Sequence, residues 1–254
     1  MKTIPRRRSR PERATSIDPQ QYFRQLDFYN PVLSDPRITV IGAGGIGSFT
    51  VPMLSLMGVR SIRVIDPDRV APHNLSTTPY TAKDLGKRKV VALQRVVLQM
   101  GGRPITVHAK WYKGGKLPKT DILISSVDSM DARRLLFKAA KDQKIPFFID
   151  GRIGGEHIRV YAIQPGKKTD RAFYQQTLLP NSRVAPLPCT RQQIIFVGSL
   201  VSGLITRAVQ KWVAEGRYMH EIIWKSESMQ MIFSKEHYAT PAQDAPPGTI
   251  RSLP

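Results

Sequence analysis

A chain of 254 residues suits one domain with appendages, and a hydrophobic content of 41% excludes a wholly disordered protein. Lys and Arg number 39 against 19 Asp and Glu, a formal charge of +20 that favours polyanionic partners such as nucleic acid, acidic proteins or phosphorylated ligands. No apolar run approaches the ~20 residues of a bilayer span and MKTIPRRRSRPER lacks the apolar stretch of a secretory signal, so a soluble, cytoplasmic protein without a membrane association is expected. The single cysteine, Cys189, excludes an internal disulfide and a four-cysteine zinc site within one chain.

In chain order, residues 1–19 read as a basic disordered arm in which Lys2, Arg6, Arg7, Arg8, Arg10 and Arg13 face only Glu12; RNA or partner binding is the alternative reading of this arm. Residues 20–235 read as one domain, and 236–254 as a flexible, proline-rich tail. The stretch DPQQYFRQLDFYNPVL predicts a short helix against the main body, ended by Pro31 and Pro36. Beyond it, β-branched runs alternate with helical periods. Strands are predicted at 37–42, 61–66, 105–110, 121–127, 146–151 and 157–163, and helices at 45–58, 86–100 and 129–143. This alternation specifies an α/β fold, a Rossmann-like, mostly parallel sheet flanked by helices. A long polar crossover loop follows at 164–191, then a largely buried helix at 192–213 and a C-terminal hairpin at 221–235.

The first strand leads into Gly42-Ala43-Gly44-Gly45-Ile46-Gly47-Ser48. Glycine at these spacings permits a tight turn, lets the backbone approach phosphate oxygens and allows close helix–strand packing. The N–H groups at the head of the next helix then face an anion. Asp66, at the end of the second strand, has the spacing of a ribose-binding acid. Strand, turn, helix, strand and acid in this order predict a nucleotide site. Pro52, inside the first helix, removes one backbone donor.

The further motifs resemble the ThiF/MoeB adenylyltransferase superfamily, the fold of the ubiquitin-activating enzymes. Its G-x-G-G-x-G-S turn corresponds to Gly42 to Ser48, its D-x-D to Asp66-Pro67-Asp68, and its S/H-N-L to His73-Asn74-Leu75. G-x-x-K-V corresponds to Gly86-Lys87-Arg88-Lys89-Val90, D-x-x-x-x-R runs from Asp128 to Arg133, and the upstream R-Q is Arg24-Gln25. The resemblance spans about residues 20 to 213. It implies binding of ATP and Mg²⁺ and adenylation of the C-terminal glycine carboxylate of a ubiquitin-like or sulfur-carrier protein. Gly42, Gly44, Gly45, Gly47 and Ser48 would cradle phosphates with Asp68 nearby, and Asp66 would hold ribose. Asn74 and Lys89 would contact phosphates, and Asp128 would hold Mg²⁺. Arg24 would reach the site of a second protomer, because the family usually works as a homodimer.

The chain departs from the pattern after Asn74. Relatives carry N-L-x-R-Q, whereas this sequence reads Asn74-Leu75-Ser76-Thr77-Thr78. Thr77 replaces a phosphate-contacting arginine, so Arg88 or a basic residue of the arm must supply the charge, or the activity is weak or absent. The paired C-x-x-C motifs of zinc-binding relatives are missing. Cys189 falls where thioester-forming relatives keep their nucleophile; a thiolate there would be favoured by Arg191 and the following helix N-terminus. The competing reading is a small buried hydrophobe. His73, His108 and His157 show no metal-ligand spacing. Alternatives to carrier-protein activation are a tRNA-modifying dehydratase that adenylates a carboxylate on a modified adenosine, suited by the +20 charge, and a scaffold relative with little catalysis.

Overall fold

The computed structural model describes residues 18–180 and 193–238. Five parallel strands, β1 (Ile38–Ile41), β2 (Ile62–Ile65), β3 (Thr106–His108), β4 (Ile122–Ser125) and β5 (Phe147–Gly154), form the parallel part of an eight-stranded sheet. It continues antiparallel through β6 (His157–Ile163), β8 (Glu221–Lys225) and β9 (Gln230–Phe233), in the order β3-β2-β1-β4-β5-β6-β8-β9. β7 (Arg217–Met219) and β10 (Glu236–Tyr238) make a separate antiparallel pair.

Both faces of the parallel half are apolar because helices cover both, which explains the near-continuous hydrophobic strands. Successive side chains alternate between the faces. Ile122, Ile124, Phe147 and Ile149 join a cluster with Val51 and Leu54 of α1 (Gly47–Met57), Leu93 and Val97 of α2 (Lys89–Gln99), and Val201, Ile205 and Trp212 of α5 (Ile195–Glu215). Leu123 and Phe148 face the other way, onto Leu136 and Phe137 of α3 (Met130–Asp142) and Tyr174 of α4 (Lys168–Gln176). Gly216, at φ 65°, closes α5 with its N–H on the Lys211 and Trp212 carbonyls, the left-handed stop that glycine adopts without strain.

Three expectations are corrected. The segment 164–191 is not loop throughout, because α4 occupies Lys168–Gln176. KTDRAFYQQ carries only two adjacent aromatics and gives no apolar period. The helix is held instead by tertiary bonds from Tyr174 Oη to Asp150 Oδ2 (2.9 Å) and from Tyr218 Oη to Asp170 Oδ2 (2.6 Å). The first three residues of the segment assigned to a tail, Glu236–Tyr238, pair with β7. Near the N-terminus, regular helix is limited to a 3-10 turn at Pro19–Gln25, started by Asp18 Oδ1 accepting from the Gln20 N–H at 2.9 Å. The arm at 1–17 and the rest of the tail lie outside the described residues.

Among the described residues no helix is long and apolar enough to cross a membrane.

Candidate functional site

The glycine turn lies where β1 delivers the chain to the head of α1. Gly42 has φ 103°, and a β-carbon there would strike the Ser126 carbonyl oxygen; one at Gly47 would strike the carbonyl oxygen of Gly42. Only glycine allows the turn to fold back on itself and on the end of β4 this closely. The amides of Gly44, Gly45 and Ile46 find no acceptor among the described residues, whereas those of Gly42 and Ala43 are bonded to Ile65 O and Asp66 Oδ2. The hydroxyls of Ser48, Ser125 and Ser126 are likewise buried without partners among the described residues. A cradle of free amides at a helix head, where the helix field is positive, is a site for an anion.

Asp66 borders this cradle. It is buried, and its two carboxylate oxygens accept from the Ala43 and Asp68 N–H groups, both at 2.7 Å. Burial raises its pKa above the ordinary carboxylate value, against the opposing pull of those two amides and of Lys89. Lys89 Nζ donates to Asp68 Oδ2 at 2.9 Å, and the Lys89 N–H bonds the Asp68 carbonyl at 2.8 Å, so β2's exit and the head of α2 are tied together twice. Asn74 Oδ1 accepts from the Ala71 N–H at 2.9 Å, while its Nδ2 donates to nothing among the described residues. Thr77 replaces charge with a hydroxyl 3.4 Å from the Asn74 carbonyl. Arg88 is engaged at the Pro67 carbonyl, 2.6 Å away.

Asp128 lies two residues beyond Ser126, whose carbonyl packs on Gly42. Its carboxylate is exposed and has no partner among the described residues. One open carboxylate beside an amide cradle suits Mg²⁺, which commonly takes one or two carboxylates together with substrate phosphates. No group of three or more His, Cys, Asp or Glu side chains able to hold a metal occurs among the described residues.

Hydrogen bonds thus tie Asp66 to the Gly42–Ser48 turn and Asp68 with Lys89 to Asp66, while Asn74 is linked to the turn through Thr77 and Gln193 and Asp128 follows Ser126 in the chain. The structure does not bring Arg24 to them. Neighbouring Gln25 bonds the Met57 carbonyl at 2.7 Å, at the far end of α1 from Gly47, roughly 16 Å along an 11-residue helix. Cys189 lies outside the described residues.

Three neighbours of the site were not singled out by sequence. Tyr80 is buried and donates to the Ala43 carbonyl at 2.6 Å, supporting the turn from below. Gln193 sits against Gly45 and donates to the Thr77 carbonyl at 3.4 Å. Asp150 is buried under the end of β4 and receives Arg133, Arg152 and Tyr174. Of these only Asp150, an acid inside the apolar strand PFFIDG, left a signal in the sequence.

Comparison with known proteins agrees with this architecture. A profile described as the ThiF family matches residues 27–238. Among curated relatives, the NEDD8-activating enzyme E1 catalytic subunit of Arabidopsis thaliana is 34% identical over 105 residues, 39% of this chain and 23% of the relative. Ubiquitin-like modifier-activating enzyme 5 of Drosophila mojavensis is 27% identical over 136 residues, covering 47% and 34% respectively. The chain therefore spans about a quarter to a third of the length of these relatives. Among solved structures, E. coli MccB with ATP superposes with a TM-score of 0.67 at 20% identity, covering 89% of this chain and 74% of that one. PaaA superposes with a TM-score of 0.67 at 17% identity, covering 91% and 77%. At these identities the superpositions establish the fold.

Proposed function

The chain belongs to the ThiF family, and from that premise we propose that it is an ATP-dependent adenylyltransferase that activates the C-terminal glycine carboxylate of a ubiquitin-like or sulfur-carrier protein. The observation that carries this reading is the set of amides at Gly44, Gly45 and Ile46 that find no acceptor among the described residues, bordered by Asp66 and, through Asp68, by Lys89. The reaction suited to it is attack of a carboxylate oxygen on the α-phosphorus of ATP. The new bond is carboxyl oxygen to phosphorus, and the bond broken joins that phosphorus to the departing pyrophosphate.

Each residue then has a task. The amide cradle takes the phosphate oxygens, on which negative charge accumulates as the bond to pyrophosphate breaks. Asp66, fixed by two backbone amides, presents its remaining lone pairs to the ribose hydroxyls. Lys89 and the Asn74 Nδ2, which has no acceptor among the described residues, donate to phosphate oxygens; Lys89 exchanges its Asp68 partner for them, and Asp68 holds it in reserve. Asp128 would hold Mg²⁺, which would supply further neutralisation of phosphate charge. No side chain must act as a base, because the attacking carboxylate is already ionised at neutral pH. Catalysis is then alignment and charge stabilisation.

The same reading includes a homodimer, in which Arg24 acts on the site of the other copy, since it is remote from the turn of its own chain. It includes residues 20–235 as the adenylation unit, and Cys189 as acceptor of the acyl group. The relatives named above include enzymes that activate small protein modifiers, and MccB binds ATP; these support the substrate class.

The test is pyrophosphate–ATP exchange in the presence of a small carrier protein ending in glycine. Exchange that rises with the carrier and vanishes when its terminal glycine is removed supports the reading. Absence of ATP binding overturns it.

A further inference from the structure

The first turn of α5 rests on the glycine turn. A β-carbon on Gly198 would lie 2.5 Å from the Gly45 carbonyl oxygen and 2.8 Å from Gln193 Nε2, and one on Gly45 would run into the Gln193 carboxamide. Gln193 therefore occupies the space beside the Gly45 α-carbon, with no atom between. Its Nε2 donates one hydrogen to the Thr77 carbonyl at 3.4 Å. The second Nε2 hydrogen and Oε1 have no partner among the described residues. A side-chain amide thus joins two separate pieces of the candidate site, the glycine turn and the 74–77 segment, and keeps a donor in hand next to amides that also lack acceptors.

The surroundings leave this donor little else to do. Thr77 contributes no charge, and its hydroxyl is 3.4 Å from the Asn74 carbonyl. Arg88 is held by the Pro67 carbonyl. Gly44, by contrast, has no atom of the described residues within 4 Å of where a β-carbon would stand. The Gly44, Gly45 and Ile46 amides, which find no acceptor among the described residues, and the half-buried Gln193 side chain packed on Gly45 lie along this same turn.

We propose that the Gln193 carboxamide is a phosphate ligand of the nucleotide site, donating its second Nε2 hydrogen to an oxygen held in the amide cradle while the first stays on Thr77. The proposal rests on the reading that a nucleoside triphosphate binds at the glycine turn. A neutral amide suits this position, because a bond to an ionised phosphate is charge-assisted without placing another cation against the partly positive helix head. It also makes seating of the α5 entry on the turn a condition for gripping the phosphates fully.

Calorimetric binding of ATP and of adenosine to the full chain and to two variants, each with magnesium present, tests this. Gln193→Leu keeps the side-chain volume packed on Gly45 and removes the donor; Gln193→Glu keeps the shape and places a carboxylate beside the phosphates. ATP is expected to bind about tenfold more weakly to the Leu variant and weaker still to the Glu variant, with adenosine affinity unchanged in both. If ATP and adenosine affinities fall together, Gln193 acts only by packing and the proposal is overturned. It is overturned equally if ATP affinity holds in both variants. If the unmodified chain binds adenosine and ATP not at all, the nucleotide reading itself fails, which is a distinct outcome from the other two.

Discussion

Arg133 and Asp150 meet beneath the candidate magnesium site: Arg133 Nε is 3.2 Å from Asp150 Oδ1, with both side chains buried. The same guanidinium donates to the carbonyls of Val127 (2.6 Å) and Asp128 (3.2 Å). Asp150 thereby aims Arg133, and Arg133 fixes the main chain that carries the Asp128 carboxylate, making it a positioning residue. Arg133→Ala removes one partner of a buried ion pair, an event that costs about 3–5 kcal/mol, less here because Arg152 and Tyr174 still bond Asp150. Arg133→Lys separates position from stability. It keeps the charge for Asp150 but lacks the fork that spans two carbonyls. The Lys variant should unfold nearer the parent and need more Mg²⁺ for half-maximal exchange, with the carrier's KM unchanged. An unaltered magnesium requirement would sink the positioning role.

Gly44 and Gly47 should separate binding from stability. A β-carbon at Gly47 collides with the Gly42 carbonyl, while at Gly44 it meets nothing within 4 Å among the described residues. Gly47→Ala should therefore destabilise by about 1–3 kcal/mol, the usual scale of overpacking. Gly44→Ala should leave stability within about 0.5 kcal/mol, yet weaken ATP binding, since its methyl group would stand where a phosphate approaches the backbone. Denaturant midpoints and ATP titration read the two effects. Normal ATP affinity in Gly44→Ala would place the phosphates elsewhere.

Asp170 predicts an acid limit. It is buried, which by itself raises a carboxyl pKa. The close His220 imidazole, the Tyr218 hydroxyl and the Gln164 N–H outweigh that and hold it down at about 2. His220 Nε2 lies 3.1 Å from Asp170 Oδ1, close enough for its side chain to be the strongest of the groups holding the carboxyl down. With the folded pKa below the unfolded one, the stabilisation is complete above about pH 4–5 and is lost as pH falls toward 2. Asp170→Asn should be less stable at neutral pH and show a shallower decline between about pH 5 and 3 in urea unfolding. Parallel curves for variant and parent would contradict this linkage.

The parts of the fold that were legible are those specified by local repetition. Alternating apolar strands such as RITVIG and SIRVID, and the glycine spacing from Gly42 to Gly47, state their geometry within a few residues. The existence of α5 was legible for the same reason, although the expectation of a largely buried helix holds for only part of it, since Ile195 and Phe196 are exposed. α4 was not, because its two buried anchors, Asp170 and Tyr174, are polar or amphipathic, and their partners at Tyr218 and Asp150 are 48 and 24 residues away in sequence. Gln193 was illegible for a related reason. A glutamine at the start of an apolar helix reads as solvated, and only the approach of α5 to Gly45 gives it a role. Lys89 was legible as a cation in a motif, but its pairing with Asp68 needed the fold to bring α2 back to β2.

Cys189 offers the sharpest division between the two chemical steps. Adenylation as argued above uses backbone amides, Lys89, Asn74 and Asp128 and needs no thiol; acyl transfer needs one. In the second step a Cys189 thiolate would attack the carbonyl carbon of the activated glycine, forming a sulfur–carbon bond and releasing AMP with the carboxyl oxygen that had bonded to phosphorus. Cys189→Ala should therefore retain carrier-dependent pyrophosphate exchange at close to the parent rate. It should also lose a carrier adduct that survives denaturing gel electrophoresis and disappears on adding excess thiol. Arg24→Ala offers the complementary result, since a residue acting across a dimer should depress exchange itself, and mixing it with an Asp128→Ala variant should restore about a quarter of the activity if mixed dimers form at random and hold one intact site. A thiol-sensitive adduct persisting in Cys189→Ala would assign the acceptor to another nucleophile, since Cys189 is the only cysteine of the chain.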